Sequence, residues 1–153
     1  MIKINVIVKN KSWFKFVKNP ETYFKRKLKK IENDRFFGKK KYSFSIQLSG
    51  TKEIQFLNKK FRKINKSTDI LSFPNQNKKN LEKITKLNFE IYLGDIIINL
   101  KKVNTFSKIL FQKNLDVLWI HGLVHLFGFD HKKESSYKRM QTIEKRFLKS
   151  LIK

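Results

Sequence analysis

A chain of 153 residues has the length of one ordinary domain and can bury a core without staples. It contains no cysteine, which excludes disulfides, thiolate metal ligands and cysteine nucleophiles and makes a reducing cytoplasm the expected compartment. Thirty-six Lys and Arg against twelve Asp and Glu give a formal net charge of +24. Such an excess favours polyanionic partners, nucleic acid first among them, although A+T-biased coding yields the same lysine and asparagine surplus.

From the N-terminus, residues 2–8 (IKINVIV) alternate at period two, which predicts a strand rather than the uninterrupted apolar region of a signal peptide. Asn19-Pro20-Glu21 marks a helix start, and Tyr23, Phe24, Leu28 and Ile31 follow at helical spacing. Gly38 and a lysine run mark a turn before a second alternating strand over 42–49, ended by Gly50. Thr51 is the expected cap of the next helix, where Ile54, Leu57 and Phe61 form one apolar stripe that ends before Asn65. Residues 68–74 (TDILSFP) make a short strand stopped by proline, and the polar, lysine-rich stretch from Asn75 to Asn88 reads as a surface loop.

Residues 89–99 are β-rich, with Gly94 signalling a bulge or a close backbone approach, and residues 100–110 read as helical. Leu115 to Phe127 is apolar nearly all round, as a buried central helix is, with Gly128 as its stop. Met140, Ile143, Phe147 and Leu151 stripe a charged C-terminal helix. The longest apolar stretch, Val117 to Phe129, is too short to cross a bilayer, so no membrane association is expected. This order predicts an α+β fold: a single domain over residues 1–153, with one small mixed four-stranded sheet packed with helices. Most of the fifteen phenylalanines fall in core-like patterns, so the sequence nominates no aromatic stacking platform.

All three histidines lie in HGLVHLFGFDH, residues 121–131. On a helix His121 and His125 stand one turn apart on one face, and Gly128 lets the backbone leave the helix so that His131 can return to the same point. Three neutral imidazole nitrogens with one open position are the ligand set of a catalytic zinc. Burying three such rings without a metal would demand a separate hydrogen-bond partner for each. The spacing HxxxHxxGxxH also occurs in a zinc-peptidase motif, but there a glutamate general base follows the first histidine, and here that position is Gly122. Gly122 serves either close helix packing or room above the metal for a bulky substrate. Asp130, beside the third ligand, is either a turn residue or a group that orients a histidine or accepts a proton; Asp69 and Asp95 are the other candidate supporting acids.

HGLVHLFGFDH resembles the signature of the YbeY family, bacterial ribosomal RNA maturation factors regarded as single-strand-specific metalloendoribonucleases. LNKKFRKINKSTDILSFP (57–74) is similar to the family's arginine-bearing helix end and following strand, and LGDIII (93–98) to its L-G-D-I strand. The matching blocks run from about residue 52 to 148. Val124 and Phe129 stand where the family commonly has leucine and tyrosine, and the loop after Pro74 is unusually rich in lysine.

The resemblance implies a zincin-like central helix carrying HxxxH, one Zn2+ per chain held by His121, His125 and His131, and Arg62 beside it as a further catalytic group. It implies cleavage of single-stranded ribosomal RNA at the 3′ end of the small-subunit 16S species, and a part in ribosome quality control. The ribosome or its small subunit would be the partner, with no DNA and no membrane. The attacking oxygen, from water or from the RNA's own 2′-hydroxyl, stays open. The alternatives are a non-catalytic RNA-binding assembly factor with a structural metal and, third, a zinc peptidase.

Overall fold

The four segments read as strands pair into one mixed sheet in a computed structural model that describes residues 1–84, 88–103 and 107–152. The strands are β1 (Ile2–Val8), β2 (Lys41–Ser49), β3 (Ile70–Pro74) and β4 (Glu90–Asn99), in the order β1-β2-β4-β3. β1, β2 and β4 run parallel; β3 lies antiparallel on β4 and forms one edge. The helices are α1 (Pro20–Lys29), α2 (Thr51–Arg62), α3 (Lys78–Lys83), α4 (Lys108–Leu126) and α5 (Glu134–Ile152). The result is the expected single α+β domain with a four-stranded mixed sheet.

Alternation divides the sheet into two faces. Ile4, Phe44, Ile46, Leu48, Ile96 and Ile98 join α4's Leu115, Trp119 and Leu123, α1's Phe24 and α5's Phe147 in the main core. Burial of each such side chain contributes about 1.5–3 kcal/mol. Among the described residues the opposite face carries a small cluster, Ile54 of α2 against Leu71 and Ile97. α4 can lie so close to the sheet because residue 122 is glycine: a Cβ there would stand 2.8 Å from Ile96 Cγ2 and 3.0 Å from Ile70 Cδ1. Close packing is therefore the role of Gly122.

Gly94 meets both of its expectations. The β2–β4 register slips between Ser43 and Ser45, a bulge, and at φ +130° a Cβ would fall 2.1 Å from the Phe73 carbonyl oxygen.

Several boundaries differ from the sequence reading. Gly50, not Thr51, is the N-cap of α2, and the Thr51 hydroxyl instead donates to Asn99 Oδ1. The stretch 75–88 holds the six-residue α3, whose start Asn77 caps by accepting from the Asn80 amide, and whose Leu81 is buried. Residues 85–87 of that stretch, and 104–106 of the expected helix 100–110, lie outside the described residues. The rest of 100–110 is a 3-10 turn at Leu100–Lys102 and the first residues of α4, which begins earlier than expected, at Lys108 behind a Ser107 cap. The α2 stripe also breaks. Ile54 is buried, but Phe61 is 58% exposed and Asn58 takes the inward position, donating to the Lys66 carbonyl at 2.8 Å.

Candidate metal centre

His121 and His125 stand one turn apart near the end of α4 and face the same point. The helix closes with the Gly128 amide donating to the His125 carbonyl at 2.8 Å. Gly128 then takes φ +84°, where any Cβ would press on the Lys78 backbone, and the chain doubles back. Phe129 is buried against Phe36, so the segment that follows is pinned and delivers His131. His125 Nε2 lies 3.0 Å from His121 Nε2 and 3.1 Å from His131 Nε2.

The outer nitrogens define the chemistry of the inner ones. His125 Nδ1 is 2.7 Å from the Phe129 carbonyl oxygen, which can only accept, so that nitrogen carries the proton. His121 Nδ1 is 2.8 Å from Glu144 Oε1 of α5 and donates in the same way. Both Nε2 atoms are then bare lone pairs, and bare lone pairs do not hydrogen-bond to one another. Burial holds the His125 imidazole below its ordinary value, and neighbouring His121 pushes it the same way, which favours the neutral form a metal requires.

Two nitrogens bound tetrahedrally to one zinc at 2.0–2.1 Å stand about 3.3 Å apart, close to the separations observed here. Donor type, tautomer and spacing therefore fit a zinc-like cation. Among the described residues this trio forms a group able to hold a metal ion, with its ligand atoms all within 4.8 Å of one another.

The trio lines an open cleft of about 620 Å³ together with Arg62, Ile70, Ser72 and Lys78. Arg62, the last residue of α2, reaches round the edge strand and donates from Nη2 to the Ser72 carbonyl at 3.0 Å. Lys63 permits this by adopting φ 61°, so that its amide and that of Ile64 close the helix on the Lys59 and Asn58 carbonyls. A hollow of about 450 Å³ between α1 and the start of α4 is comparable in size but holds no histidine and no carboxylate.

The three aspartates take structural places. Asp130 accepts from the Lys132 amide, as a turn residue does; Asp69 accepts from the Ile70 amide and the Thr68 hydroxyl; Asp95 accepts from the Tyr92 hydroxyl at 2.7 Å. The acid that does touch a histidine, Glu144, was missed from sequence. Its signal was its place among Met140, Ile143 and Phe147: a carboxylate on the inward stripe of a helix needs a partner.

Residues 7–152 match the family model described as Endoribonuclease YbeY. The chain belongs to the YbeY family. The endoribonuclease YbeY of Pelagibacter ubique is 39% identical over 143 residues, spanning 92% of this chain and 90% of its own length. That of Ehrlichia canis is 32% identical over 154 residues, spanning 99% and 93%. A solution structure from Thermotoga maritima superposes with a TM-score of 0.52 at 24% identity, covering 99% of this chain and 89% of its own, and so shares the fold. Among the described residues, no helix of this YbeY-family chain is long and apolar enough to cross a membrane.

Proposed function

We propose that this chain is a zinc-dependent endoribonuclease that cuts unpaired ribosomal RNA, acting in the cytoplasm at the small ribosomal subunit to mature the 16S 3′ end and in ribosome quality control. The carrying observation is the convergence of three imidazole Nε2 atoms, two of them held bare by their outer partners, in a YbeY-family chain, at an open cleft that also holds an arginine. Its relatives' name, endoribonuclease, supports RNA as the substrate.

His121, His125 and His131 would hold one zinc ion, which when bound supplies a Lewis acid for the charge that develops on a scissile phosphate. Glu144 and the Phe129 carbonyl keep the first two rings in the binding tautomer. Arg62 spends one of its five N–H donors on Ser72 and offers the rest to a phosphate oxygen. With the scissile phosphate in the cleft, such a donor would stabilise the charge of the transition state more than the ground state. The +24 surface supplies sequence-independent hold on the RNA backbone.

Neither alternative draws comparable support. A structural metal calls for a closed set of four ligands, whereas this trio opens on a cleft. A peptidase calls for a glutamate at position 122, where even a methyl group collides with the sheet.

The test is cleavage of a labelled single-stranded ribosomal RNA fragment, with chelator, with zinc restored, and with His125→Ala purified identically. Cleavage that disappears with chelator or the substitution and returns with zinc is the expected result. Equal cleavage by parent and variant contradicts the proposal.

A further inference from the structure

The exposed side of α2 carries a group of side chains that the metal centre does not use. Phe56 is 61% exposed and Phe61 58%, on a helix whose inward side is already satisfied by Ile54. Lys60 places its ammonium over both rings, 5.8 Å from the centroid of Phe56 and 5.3 Å from that of Phe61. Phe61 meets Phe73 of the edge strand with 5.4 Å between centroids, and the Arg62 guanidinium lies 5.7 Å from the centroid of Phe73. Phe56, Lys60, Phe61, Phe73 and Arg62 thus form an unbroken chain of contacts that ends in the metal cleft. Lys59 and Lys63 flank Phe56 in a shallow hollow that contains no acid.

An exposed apolar surface of this kind needs an occupant. Three lysines interleaved with the rings disfavour a hydrophobic protein groove, because its burial would strand three ammonium groups. They suit a ligand that alternates flat π-faces with phosphates. We propose that the outer face of α2 is a stacking platform for unpaired bases of an RNA strand whose scissile phosphate lies in the metal cleft. This rests on the endoribonuclease reading and adds to it a source of selectivity: a duplex keeps its bases stacked on each other and cannot offer them to Phe56 and Phe61. Arg62 joins the two regions, one side of it over Phe73 and the other in the cleft.

The experiment is a binding titration of the full chain, zinc present, with an uncleavable fluorescent 2′-O-methyl oligonucleotide of about a dozen unpaired residues. Phe56→Ala and Phe61→Ala should each weaken binding about tenfold, the loss typical of one base–aromatic stack. Both side chains are exposed, so folding is untouched. Phe14→Ala, which removes an exposed ring beyond β1 at the opposite edge of the sheet, should bind like the parent. Lys60→Ala should reduce the salt dependence by about one charge.

Phe61→Trp should keep the affinity and report stacking directly. Trp13 and Trp119 are fully buried, so quenching of the new exposed indole on adding the oligonucleotide locates a base at position 61. Parent-like binding by both alanine variants, or no quenching at 61, overturns the platform and leaves the patch to a protein partner. If cleavage persists in that case, the nuclease reading stands alone. Ring-dependent binding by a chain that cuts nothing would retain the platform and remove the nuclease reading.

Discussion

Two polar clusters sit little more than a turn apart on α4, and they are built in opposite ways. Asp116 is buried, and its carboxylate accepts from the Tyr23 hydroxyl at 2.8 Å, the Trp119 indole at 3.0 Å and the Lys27 ammonium at 2.6 Å. Charge and hydrogen bonds are all met by the chain itself, so this cluster fastens α1 to α4 and asks for nothing further. Beyond it, His121 and His125 are satisfied only on their outer sides, by Glu144 and the Phe129 carbonyl. Their inner nitrogens point at one another, an arrangement that a second proton or a cation would have to bridge. A cluster closed by its own donors is a fastening; a cluster that aims acceptors at a common point is a binding site.

Substitutions can break this contrast from either side. The largest effect is expected from His125→Ala. Zinc affinity, followed by competition with a chelating dye, should fall by more than the 10–100-fold that loss of a supporting partner costs, and RNA cleavage should drop to background. The global fold should remain.

Asp116→Ala should do the reverse, lowering stability in urea by about 3–5 kcal/mol because it strands the Lys27 ammonium, while zinc affinity stays at the parent value. A matching loss of zinc would make the two clusters one.

Glu144→Gln sharpens the division within the metal centre. The amide can still accept from His121 but no longer brings a negative charge to the metal centre, so zinc affinity should fall about 10–100-fold at the most, with little change in unfolding midpoint.

The smallest expected effect is a pH dependence. Burial, reinforced by the Asp116 carboxylate, raises the Tyr23 phenol above its ordinary value of 10.0. The unfolded chain therefore loses this proton first: its contribution to stability is complete below pH 10 and declines as the pH rises beyond it. By pH 10.5 the parent should have lost about 0.8 kcal/mol more than Tyr23→Phe does, measured by paired urea titrations at pH 8 and 10.5.

What could be read ahead of the structure was local. Period-two alternation located β1 and β2, and β-rich composition bounded by proline and glycine located β3 and β4, all to within a residue or two; the histidine spacing located the metal cluster, because each of these signals lies within a short window. Asp116 could not be interpreted in the same way: its partners Tyr23 and Lys27 lie about ninety positions away, and only the packing of α1 on α4 brings them to it. Glu144 is similar, since its inward position was visible but its histidine was not.

α3 was hidden because Leu81 is its one buried residue, too little for a periodic signal beside so many lysines. Phe61 misled for the converse reason. Its spacing matched the stripe of Ile54 and Leu57, but the apolar cluster on that face of the sheet is small, and Asn58 takes the inward position while Phe61 meets only the partly buried Phe73. Arg62 was nominated by family resemblance alone; its reach to Ser72 depends on the left-handed turn at Lys63, for which neither residue carries a sign.

The most direct measurement is a titration of the metal-free chain with zinc, following cleavage of a labelled single-stranded RNA at each addition. Activity should rise linearly and break at one equivalent per chain, and His125→Ala should stay flat throughout. Cleavage that is present before zinc is added, or that is the same in the variant, would contradict the assignment of catalysis to the histidine cluster.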